Sequence, residues 1–119
     1  MKIAITAAGP DLSSAVDQRF GRGRHLLVVD LPERTVQTID NQAGRNAAQG
    51  AGIQAAQSVI DSGATVLISG HCGPKAFRAL KAGGIEVYLT SGGRVDEVLN
   101  QFEEGTLDLA PAADVDGHW

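Results

Sequence analysis

The sequence predicts a single mixed α/β domain of five strands and three helices, and three observations carry that expectation. Five short runs alternate or are continuously apolar in the manner of strands, and the last three are each followed by apolar residues at helical spacing. Aromatic residues make up 4% of the chain against 43% apolar residues overall, so Ala, Val, Ile and Leu must fill the core. That aliphatic bias suits strands covered by helices. The length of 119 residues leaves room for one core but not two.

Lys2 to Ala7 alternates and forms the first strand. Residues 8–23 contain Gly9-Pro10, Ser13, Ser14 and Phe20-Gly21-Arg22-Gly23, a long loop rich in breakers. His25 to Asp30 is the second strand, Leu31-Pro32-Glu33-Arg34 turns the chain, and Thr35 to Asp40 returns as the third. Asn41 to Gly52 is polar and Gly-containing; Ile53, Ala56, Val59 and Ile60 then recur at helical spacing until Gly63, a good helix stop. Thr65 to Ser69 is a strand of the kind buried on both faces. Gly73-Pro74 opens the second helix, with Phe77 and Leu80 inward until Gly83-Gly84. Ile85 to Leu89 is the fifth strand, and Val95, Val98, Leu99 and Phe102 mark the third helix. The chain looks loose after Gly105, so the domain is expected over residues 1–108 and a flexible acidic tail over 109–119.

The order β-β-β-α-β-α-β-α gives a hairpin series followed by right-handed crossovers. The expected sheet order is 3-2-1-4-5 with strand 2 alone antiparallel, a ribonuclease-H-like arrangement. Loops 8–24, 41–52, 69–75 and 90–94 then all lie at the carboxyl edge of strands 1, 3, 4 and 5. Arg19, Arg22, Arg24, Arg45, Lys75 and Arg94 gather there, with His25 and His71, against only Asp11 and Asp17. The same edge is expected to receive the N-termini of all three helices, whose backbone N–H groups favour anions. A crevice is expected between strands 1 and 4, where the strand order reverses. Long loops, convergent donors and basic residues point to an anion site. The plainer reading is that arginines sit in loops because loops are wet.

Cys72 stands in Ser69-Gly70-His71-Cys72-Gly73-Pro74, just before a helix, where a thiol tends toward thiolate and binds soft metals. His71 beside it is a candidate ligand or a donor to a sulfide. A lone cysteine is also often a small buried hydrophobe. A structural metal site made only of protein ligands needs about four of them, and one Cys with three His falls short. Any metal would therefore arrive as a preformed cluster with its own ligands. Phe20, Ile53 and Leu12 are candidates for an apolar wall, or Phe20 is simply a core plug.

Enzyme readings lack their motifs. A two-metal nuclease needs carboxylates on adjacent strand ends, but Ile3-Ala4-Ile5-Thr6-Ala7 has none, and Asp30 and Asp40 lie at opposite ends of their hairpin. There is no P-loop, and Gly21-Arg22-Gly23 before a strand is no dinucleotide fingerprint. Ser13, Ser14 and Ser69 lack a nucleophile elbow. Few aromatics argue against single-stranded nucleic acid, and no apolar run approaches the roughly 18 residues of a membrane span. A strand that begins at Met1-Lys2-Ile3 and a single cysteine lead to the expectation of a cytoplasmic protein without a signal peptide. All ten Lys and Arg precede residue 95; seven acids and no Lys or Arg follow it, a tail that suits solubility.

The chain resembles the dinitrogenase iron–molybdenum cofactor biosynthesis family. The likeness rests on Met1-Lys2-Ile3-Ala4-Ile5, Arg19-Phe20-Gly21-Arg22, Asp40-Asn41, Gly50-Ala51-Gly52, Gly73-Pro74-Lys75-Ala76-Phe77 with Leu80, and Gly84-Ile85-Glu86-Val87-Tyr88. It runs from residue 1 to about Leu107. The resemblance implies a ribonuclease-H-like fold and a non-enzymatic carrier of molybdenum- or iron-containing sulfide clusters at the carboxyl edge. Arg19 and Gln49 stand where many relatives have His. Losing potential ligands while gaining a cation shifts the expectation from coordination to electrostatic holding, as in members that hold a molybdenum–copper sulfide cluster non-covalently. The implied site is Arg19, Phe20, Gly21, Arg22, Arg24, Gly50, Gly52, His71, Cys72, Gly73 and Lys75, with Cys72 and His71 as candidate metal ligands. An iron–molybdenum or iron–sulfur cluster is the alternative cargo. Family members often occur with partner ATPases, so a regulatory interaction module without a cluster is the competing reading.

Overall fold

The computed structural model describes residues 1–21, 25–40 and 51–110. They form strands β1 (Lys2–Ala7), β2 (His25–Asp30), β3 (Thr35–Asp40), β4 (Val66–Ser69), β5 (Glu86–Leu89) and β6 (Asp108–Leu109). The helices are α1 (Ala51–Asp61), α2 (Pro74–Ala82) and α3 (Val95–Glu104). Among the described residues one mixed sheet runs β3-β2-β1-β4-β5-β6. β2 is antiparallel to β1 and β3, whereas β4 and β5 follow β1 in parallel.

The sixth strand corrects the expectation of five. β6 pairs antiparallel with β5, so β2 is not the only reversed strand. The Ala110 N–H donates to the Val87 carbonyl at 2.8 Å, and Ala110 is buried. Sheet pairing therefore extends to residues 108–110, within the segment after Gly105 that the sequence leaves without a pattern. Two exposed residues carry no alternation from which a strand can be read.

Alternation divides the core between the two faces of the sheet. Ile3 and Ile5 of β1 join Leu27, Val29, Val66 and Ile68 under Val95, Val98 and Leu99 of α3. Ala4, Leu26, Leu67 and Val87 face the other way, under Ala55, Ala56 and Val59 of α1 and Phe77 and Leu80 of α2. Each fully buried Leu, Ile or Val contributes about 1.5–3 kcal/mol of hydrophobic stabilisation. Helix α2 begins with Pro74 at a position where the missing N–H has no intrahelical partner to lose.

The β2–β3 turn ends at Arg34, whose φ of 61° is uncommon for a residue with a side chain. Its guanidinium reaches across to α3 and donates to Asn100 Oδ1 at 2.6 Å and to Glu103 Oε1 at 2.7 Å. Arg34→Ala keeps the backbone conformation and removes the clasp. It is expected to lower stability in urea by about 1 kcal/mol, less at high salt because the pair is partly exposed. Equal losses at low and high salt would show that the ion pair contributes nothing.

Candidate functional site

Thr6 and Ser69 are buried at the carboxyl ends of β1 and β4. The Thr6 hydroxyl donates to the Asp17 carbonyl at 2.7 Å and lies 2.9 Å from the Ser69 hydroxyl. A hydroxyl has one hydrogen, so Ser69 must donate to Thr6. The Asp17 N–H returns a bond to the Thr6 carbonyl at 2.9 Å. From that anchor residues 17–20 run alongside 69–71. The His71 N–H donates to the Gln18 carbonyl at 2.6 Å, and the Phe20 N–H to the His71 carbonyl at 3.1 Å. Arg19 and His71 form a parallel bridge. The expected crevice between β1 and β4 is thus occupied by the protein's own backbone. The Asp17 carboxylate fixes this turn by accepting the Arg19 N–H at 2.9 Å.

Gly70 makes the approach possible. A Cβ there would stand 2.7 Å from both Cα and O of Gln18, and would meet the Gln18 Oε1 as well.

The sequence-derived candidates now separate. Arg19 and Lys75 are exposed and His71 is half-buried. Phe20, 2% exposed, and Cys72, 1% exposed, belong to the apolar cluster on the α1–α2 face. Phe20 is therefore a core plug, and Cys72 is buried in the same cluster with its thiol 3.8 Å from the Gly73 carbonyl. Gly21 is buried at the end of the Phe20 turn. Gly73 is the N-cap residue of α2 and makes no side-chain cap hydrogen bond. Gly52 serves packing, since a Cβ there would lie 3.1 Å from the Ala76 Cβ, and its absence lets α1 approach α2. Arg22, Arg24, Arg45, Gln49 and Gly50 lie outside the described residues.

On the α3 face the edge is closed. The Val95 N–H donates to the Ser14 carbonyl and the Asp96 N–H to the Leu12 carbonyl, both at 2.9 Å. The Arg94 N–H donates to Glu97 Oε1 at 2.9 Å, and the Arg94 guanidinium pairs with Asp96 at 3.1 Å. The expectation that all three helix N-termini serve one anion site is corrected: α3 has its donors and its arginine engaged at home. Leu12 packs in the α3 cluster, on the opposite face from Phe20, so the expected wall of Phe20, Ile53 and Leu12 does not assemble. Ile53 is exposed in the first turn of α1. Asp11 is likewise absorbed locally. Ser13 and Ser14 hydroxyls donate to its carboxylate, holding its pKa below the ordinary value.

What remains at the carboxyl edge, among the described residues, is Arg19 and His71 side by side in their bridge, with Lys75 in the first turn of α2. Among the described residues no three His, Cys, Asp or Glu side chains converge as a metal site, and no helix is long and apolar enough to cross a membrane. Sequence reasoning missed Gln18, Thr6 and Ser69. The one available signal was Gly70, a glycine directly after a buried strand, which marks a close backbone approach.

Comparison with known proteins gives this arrangement its relatives. The structure is similar to the apo form of the orange protein from Desulfovibrio gigas, with a TM-score of 0.92 and 42% identity over 96% of each chain. It is also similar to a NifB-type protein from Thermotoga, with a TM-score of 0.84 and 34% identity over 98% of each chain. An uncharacterized protein from Methanocaldococcus jannaschii is 31% identical over 91% of this chain and 90% of its own. The family model for the dinitrogenase iron–molybdenum cofactor matches residues 1–105, which include β1 to β5 and every loop of the carboxyl edge. With its sequence motifs, strands β1 to β5 and edge loops inside that match, this chain belongs to the dinitrogenase iron–molybdenum cofactor family.

Proposed function

We propose that this protein binds and carries a preassembled, anionic, molybdenum-containing metal–sulfur cluster without catalysing turnover. The observation that carries the proposal is the patch at the start of α2. Two backbone segments locked together bring Arg19 and His71 next to each other just before α2, whose N-cap residue, Gly73, has no side chain to cap it. Arginine forks, helix-end N–H groups and an imidazole donor suit a polyanion whose surface is sulfide. One Cys and three His cannot assemble a cluster site on their own, so the cargo would bring its own sulfides. The family match and the likeness to an orange protein solved as an apo form support this class of cargo. Arginine at position 19 and glutamine at 49 favour the molybdenum–copper sulfide type over clusters held by histidine. Arg22, Arg24 and Gly50 are proposed to complete the site. The order β3-β2-β1-β4-β5 around an antiparallel β2 supports the ribonuclease-H-like label for the scaffold.

The test is reconstitution with tetrathiomolybdate and cuprous ion, followed by desalting, visible absorption and metal analysis. Coloured protein with stoichiometric Mo and Cu is expected. Protein that stays colourless would sink the proposal. Because Cys72 lies inside the core, Cys72→Ala is expected to keep most of the cluster, whereas high salt strips it. Complete loss in Cys72→Ala with the fold intact would instead establish a thiolate bond.

A further inference from the structure

We infer that Gln18 is the positioning residue of the cargo site, a clasp that holds three carboxyl-edge loops in one register. The inference rests on the function proposed above. Gln18 is half-buried, between the anchored Asp17 and the exposed Arg19. Its carboxamide lies between two glycines from different loops. A Cβ at Gly70, in the β4–α2 loop, would run into Gln18 Oε1 and the Gln18 backbone. A Cβ at Gly92, in the β5–α3 loop, would stand 2.8 Å from Gln18 Nε2. The same residue supplies the carbonyl that accepts the His71 N–H at 2.6 Å. One side chain therefore fills the space where loops 8–21, 70–73 and 90–94 meet, next to Arg19 and His71.

The consequence is a division of labour within one turn. Arg19 and His71 face the cargo, while Gln18 fixes the distance between the segments that carry them. A charged residue on an unfixed loop holds a ligand less well, because the loop must be ordered on binding.

Gln18→Ala, Gln18→Met and the unaltered protein test this in two measurements. Amide hydrogen exchange of the cargo-free protein reads the clasp directly. In Gln18→Ala the His71 and Phe20 amides are expected to exchange about tenfold faster, a local opening far smaller than global unfolding. The Ala110 amide, bonded to Val87 in the sheet, is expected to stay unchanged. Loss of the tetrathiomolybdate–copper cluster on dilution is expected to accelerate by a similar factor of about ten, with an altered visible circular dichroism spectrum. Gln18→Met, unbranched and of similar length, is expected to restore both, because what matters is that the space is filled. Unchanged exchange at His71 and Phe20 in Gln18→Ala would overturn the clasp. Faster exchange with unchanged cluster release would overturn its role in holding cargo. Failure of the unaltered protein to take up cluster would bring down the proposed function, a distinct result.

Discussion

Phe20→Ala is expected to lower the stability of this protein by about 3–5 kcal/mol, measured by urea unfolding. Phe20 is 2% exposed and packs with Cys72, Phe77 and Leu26 on the α1–α2 face. It is the only aromatic side chain that the first carboxyl-edge loop contributes to the core. Alanine leaves a cavity against two helices that are themselves fixed by packing, so collapse around it is limited. A domain of this size has about 5–15 kcal/mol of net stability, and one residue of a loop would then carry a large share. The substitution also frees the segment bearing Arg19, so cluster retention should fall with it. A loss below about 1 kcal/mol would place Phe20 outside the core that the structure describes.

Gly70→Ala is the second large effect. The added Cβ meets Gln18 backbone atoms at 2.7 Å, and backbone cannot rotate away as a side-chain tip can. One of the two segments must move. Overpacking of this kind costs about 1–3 kcal/mol, and the bonds between His71 and Gln18 and between Phe20 and His71 each add about 1 kcal/mol when broken. Loss of protection at the His71 and Phe20 amides, with the β1–β2 pairing retained, is the expected exchange pattern. Wild-type exchange at both amides would show that the segments are not in contact in solution.

Much of this architecture was legible in the sequence for simple reasons. Strands β1 and β3 begin and end where alternation begins and ends, at Lys2–Ala7 and Thr35–Asp40, and β2 is the apolar run between polar ends at His25–Asp30. Pro74 marked the start of α2, and the spacing of Val95, Val98 and Leu99 gave the buried face of α3. That Arg19, Lys75 and Arg94 follow strands at their carboxyl ends could be read from strand direction alone. What failed was the occupancy of that edge. The donors of α3 are engaged by carbonyls of Leu12 and Ser14, about eighty residues earlier in the chain, which no local pattern encodes. Leu12 and Phe20 looked like partners because they share a loop, but the loop crosses the end of the sheet between them. Gln18 was invisible because a polar loop residue has no periodicity. Its importance arises from two glycines distant in sequence.

The sealing of α3 also gives the molecule a handedness of traffic. If cargo rests only on the α1–α2 side, then loading and unloading share one doorway. A donor protein and a recipient would compete for the same approach, so transfer would have to proceed in turns, with the donor gone before the recipient arrives. A carrier of this design cannot act as a bridge between two machines. On the function proposed above it would be a shuttle, and how long it held its cargo would depend on the patch proposed around Arg19, His71 and Lys75.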